Sequence, residues 1–62
     1  MSNPNEFIYT SLNELRAIKH KLSLLDRMAT MAADAGMWSA LAGIREEEAR
    51  LNELRKAYFF YE

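Results

Sequence analysis

The stretch AADAGMWSAL, residues 32–41, decides the fold. Gly36 has no Cβ and can take the left-handed conformation that ends helices, and Met37 can supply the apolar contact that accompanies such an ending. A helix arriving from the N-terminal side therefore stops near Asp34, and another leaves from Trp38. So short a connection forces a sharp reversal, which makes the two helices antiparallel neighbours.

Outward from the turn, the pattern on both sides is helical. Apolar residues recur as Ile8, Leu15, Ile18, Leu22, Leu25, Ala29 and Ala32, a spacing of three and four that marks one helical face. On the far side the matching set is Trp38, Leu41, Ile44, Leu51, Leu54, Tyr58 and Tyr61. Valine is absent and the β-branched residues are only Ile8, Ile18, Ile44, Thr10 and Thr30, so propensity favours helix nearly throughout. Asn3 as N-cap, Pro4 at the first helical position and Glu6 as the capping-box partner mark a start. Ser11 with Glu14 offers a second possible one. The fold class expected is all-α: one domain over residues 1–62, with a helix over about 4–34, a turn over 35–37 and a helix over about 38–61.

Folding back at Gly36 sets position i of the first helix beside roughly 72 minus i of the second. Met31 then meets Leu41, Met28 meets Ile44, Leu22 lies near Leu51, Ile18 near Leu54 and Leu15 near Tyr58, all apolar pairs. The same register sets Lys19 beside Glu53 as a surface ion pair. Trp38, next to the turn, is expected to plug the closed end.

A chain of 62 residues buries only about 60% of its unfolded surface, and small domains make up the shortfall with disulfides, a metal or self-association. Cysteine is absent and His20 is the single histidine, which leaves self-association: two hairpins pairing into a four-helix bundle. The absence of cysteine and of a basic-then-apolar leader in MSNPNEF fits a cytoplasmic protein. The longest uncharged run, AGMWSALAGI, is about half of what a bilayer requires, so no membrane partner is expected. A net charge of −1 gives no general pull toward nucleic acid.

The C-terminal AYFFYE places Tyr58, Phe59, Phe60 and Tyr61 in succession. At about 100° per residue these rings sweep round the helix, and one partner helix cannot cover all of them. Tyr58 and Tyr61 fall on the inner stripe; Phe59 and Phe60 point elsewhere. Phe7, Ile8 and Tyr9 belong to the same open end, and Leu24, Met28 and Met31 widen the apolar face of the first helix. The expected protein interface is therefore Leu24, Met28, Met31, Phe59, Phe60, Phe7 and Tyr9. For the methionines, core filling is the commoner use.

RAIKHK, residues 16–21, with Arg27 puts Arg16, Lys19, His20 and Arg27 on the outer side of the first helix. That arrangement suits phosphate contact, an alternative in which a helical bundle binds RNA or DNA; an ordinary solvated face is the simpler account. REEEAR, residues 45–50, lacks the Glu-x-x-His partner of a di-metal bundle, and its Glu46 and Glu47 are spaced to pair with Arg50. Glu47 lies on the inner stripe, where a polar residue sets register or partner choice. His20 has no nucleophile or orienting group around it. Neither enzyme activity nor a cofactor or metal is expected.

In length and pattern the chain resembles the plasmid-type ROP hairpins, which implies an antiparallel four-helix bundle made of two hairpins. RMATMAADAG followed by EARLNELRKAY is similar to the hairpins of the sporulation-type aspartyl-phosphate phosphatases, whose Ser and Asp four apart are here Glu48 and Asn52; that departure removes the chemistry the resemblance would imply. MSNPNEFIYTSLNELRAIKHKL looks like the openings of short accessory reading frames of lambda-like phages, between the recombination and excision genes. This implies a small phage regulator in the host cytoplasm. Together these point to a non-enzymatic interaction or regulatory module, acting as a homodimer on an unidentified protein partner.

Overall fold

The computed structural model describes the backbone of residues 4–58 and the side chains of residues 8–58. Two helices, α1 (Pro4–Asp34) and α2 (Trp38–Lys56), form an all-α hairpin with no strand among the described residues. Gly36 has a φ of 70°, the left-handed conformation that suits glycine. Around it the backbone closes a Schellman motif: the Met37 N–H donates to the Ala32 carbonyl at 2.8 Å and the Gly36 N–H to the Ala33 carbonyl at 3.1 Å. Met37 then acts as the N-cap of α2, with φ −87° and ψ 75°, and has no side-chain oxygen to give the helix. Its carbonyl accepts from the Leu41 N–H at 2.9 Å.

Leu15, Leu25, Ala29 and Ala32 of α1 and Leu51 of α2 are buried, with Ile18, Leu22, Leu41 and Ile44 half-buried around them. Alanine at 29 and 32 lets the helices approach closely near the turn, where α2 offers the larger Leu41 and Ile44. Ser11 is buried in the interior of α1, one step back along the stripe from Leu15, and does not start a helix. Pro4, with no N–H to lose, opens α1 instead.

Three expectations need correction. Trp38 does not plug the closed end; it is 68% exposed. Side chains on a helix lean toward its N-terminus, so the first residue of α2 projects past the end of the hairpin, where no third element lies over it. Leu54 and Ile8 are exposed rather than interior. The inner stripe of α2 runs Leu51, Arg55, Tyr58, with the stem of a half-buried Arg55 lying where Leu54 is expected. The third concerns the end of α2, expected near residue 61. The helix closes at Lys56 as the Ala57 N–H turns back to the Leu54 carbonyl at 3.1 Å and the Tyr58 N–H to that of Arg55 at 2.9 Å. Residues 59–61 lie outside the described residues.

Tyr58 donates from its hydroxyl to the Glu14 carboxylate, tying the open end together. Their numbers sum to 72, the register read from the turn. With 31 residues against 19, α1 is much the longer helix, and the molecule measures 50 × 19 × 15 Å.

Candidate protein-interaction surface

Leu24, Met28, Met31 and Ala35 follow one another at spacings of four, three and four, a line about 100° round the helix from the buried Leu25, Ala29 and Ala32. All four are exposed, Met28 at 51% and Met31 at 70%. Across the turn, Met37, Ala40 and Ile44 make the corresponding line on α2. Between the two lies a groove of about 320 Å³ walled by Met28, Met31 and Met37 with Ala32, Ala35, Ala40 and Ile44. Met37 is itself 57% exposed. The walls are aliphatic carbon and thioether sulfur, a surface that is soft, adaptable and without fixed polar demands.

Charge closes the groove on the side away from the turn. Lys21 Nζ lies 3.8 Å from Glu47 Oε1, bridging α1 and α2, and Arg50 Nε donates to Glu47 Oε2 at 3.0 Å. The Arg50 hydrogen bond is the chief reason the Glu47 carboxyl titrates below its ordinary value of 4.5; burial pulls the other way, and the charges of Arg50 and Lys21 add to the fall. The same contact raises Arg50. From Met28 to Ile44 the only ionisable side chain is Asp34. One half of this face is thus apolar and the other is pinned by ions.

The structure brings Met28 and Met31 together in the groove with Leu24 beside them, but it does not bring Tyr9 there. Tyr9, 69% exposed, falls on the line of Arg16, His20 and Arg27 along the outer side of α1. Phe7, Phe59 and Phe60 lie outside the residues whose side chains are described. Arg16, Lys19, His20 and Arg27 are all exposed. On α2, Arg45 pairs with Glu48 at 2.8 Å, Arg50 with Glu47, and Lys56 with Glu53 at 2.8 Å.

Sequence reasoning set Ile44 beside Met28 but missed Met37 and Ala40 as parts of the same exposed surface. The uncharged run on either side of Gly36 carries that signal, since a hairpin folds its two halves against each other.

The chain matches no protein-family model, and neither the curated proteins nor the solved structures hold a significant match to it. No helix among the described residues is long and apolar enough to cross a membrane.

Proposed function

We propose that this chain is a non-enzymatic interaction module of the cytoplasm: two hairpins pair through the Leu24, Met28, Met31 and Met37 face into a four-helix bundle, which then binds another protein. A small regulator of this kind fits the likeness of residues 1–22 to phage accessory frames. The observation that carries the reading is surplus surface. The hairpin exposes 4947 Å², whereas a compact monomer of 7.2 kDa exposes about 4,100 Å². The excess of about 800 Å² is what each partner contributes to a protein interface of ordinary size. An apolar strip this long on a lone hairpin is a contact surface.

Sedimentation equilibrium at micromolar concentration tests it. The expected species has twice the chain mass, and Met31→Asp, which places a charge in the strip without touching the buried stripe, shifts it toward monomer by at least about tenfold in Kd. A folded monomer of the unsubstituted chain overturns the reading.

A second reading has its own observation. Tyr9 extends the line of Arg16 and His20, giving that outer face an aromatic as well as cations. Among the described residues Arg16 and Arg27 form no ion pair, unlike Arg45 and Arg50. Titration with structured RNA and duplex DNA at two salt concentrations tests it: binding that weakens steeply with salt supports a nucleic-acid bundle, and its absence removes one.

A further inference from the structure

The chain has two apolar regions far apart in sequence. The methionine groove lies at the turn. The phenylalanine pair, Phe59 and Phe60, follows Tyr58 directly in sequence, and Tyr58 is fastened to Glu14 at the open end. A chain's own pair cannot reach its own groove. Ile44, on the groove wall, precedes Tyr58 by 14 residues, about 21 Å along a helix, and Phe60 stands two residues past Tyr58, a reach of about 7 Å.

The groove suits such rings in size and in chemistry. Its 320 Å³ is about twice the roughly 150 Å³ of an apolar cavity that takes one benzene, so two rings fit. Thioether sulfur makes favourable contacts at aromatic edges, and three of the chain's four methionines stand on these walls.

We propose that the Met28, Met31 and Met37 groove of one hairpin receives Phe59 and Phe60 of a second copy, which makes the dimer antiparallel, each turn lying against the other's open end. This rests on the homodimer reading above. A parallel dimer leaves all the rings at one end and both grooves bare at the other. A two-fold antiparallel pair fills both grooves with one self-complementary contact used twice. It also brings Asp34, the lone charge of the turn half, toward the basic last turn of the partner's α2, where Arg55 and Lys56 lie in each chain.

The chain has no cysteine, so single cysteines report geometry cleanly. Ser39→Cys marks the turn end outside the groove wall, and Glu62→Cys labels the segment that carries the phenylalanine pair, two residues past Phe60 in sequence. An equal mixture of the two variants, treated with a short bismaleimide linker, is expected to give mainly the mixed S39C–E62C product. Dominant S39C–S39C product, or equal yields of all pairs, overturns the proposal. In parallel, Phe59→Ser with Phe60→Ser is expected to raise the dimer Kd at least tenfold, as is Met31→Ala. The two changes combined should cost less than their product, because both remove the same contact. A dimer constant unmoved by the phenylalanine variant, with helical circular dichroism intact, means that something other than these rings occupies the groove and sinks the proposal. A monomeric unsubstituted chain sinks the homodimer reading itself, whereas a dimer with the wrong cross-link sinks only this inference.

Discussion

Gly36 and Gly43 are chemically identical and do opposite things. At Gly36 nothing lies within 4 Å of where a Cβ would be, so Gly36→Ala meets no clash; its cost is the left-handed φ of 70°. That strain is about 1 kcal/mol, and Gly36→Asn, which tolerates the conformation better, should lose less in urea unfolding. Gly43 lies inside α2 with open space around it, where glycine only weakens the helix. Gly43→Ala should therefore raise stability by about 0.8 kcal/mol in the same measurement. Tyr58→Phe removes the hydroxyl that reaches Glu14 and keeps the ring. Faster amide exchange confined to the open end is the expected outcome, with the turn unaffected.

Between the two helices, Glu47 meets Lys21 across the gap and Arg50 along its own helix. Its carboxyl titrates lower in the folded hairpin than in the open chain, so it adds stability at pH values above about 4.5, and that contribution fades as the pH falls below it. Glu47→Gln should flatten this acid limb of the urea midpoint profile and leave the limb above neutrality unchanged. The hairpin itself was legible from the sequence, because Gly36 and the three-and-four spacing each demand it independently. The rotation of α2 about its axis was not. Leu54 and Arg55 stand three and four residues past Leu51, and hydrophobicity alone favours Leu54; keeping the stripe in line from Leu41 through Tyr58 favours Arg55. That rotation decides which residues of α2 border the methionines, so the groove was invisible while the stripe of Leu24, Met28 and Met31 was not.

At the scale of the whole molecule, elongation is the dominant fact. The radius of gyration is 14.9 Å, whereas a compact chain of 62 residues has about 11 Å. Two rods pressed along one side bury only a narrow stripe, Leu15, Leu25, Ala29, Ala32 and Leu51, and the homodimer proposed above would cover the exposed side with a second pair. Thermal unfolding should accordingly depend on protein concentration, its midpoint rising with dilution reversed, which a lone hairpin would not show. Trp38 stands bare at the tip, beside the methionine walls, and is the chain's single indole. It therefore serves as a label that nature has already attached. Its emission should sit at the red edge when that tip faces solvent and move to the blue whenever another molecule comes to rest there, so the occupancy of this end can be followed by light alone.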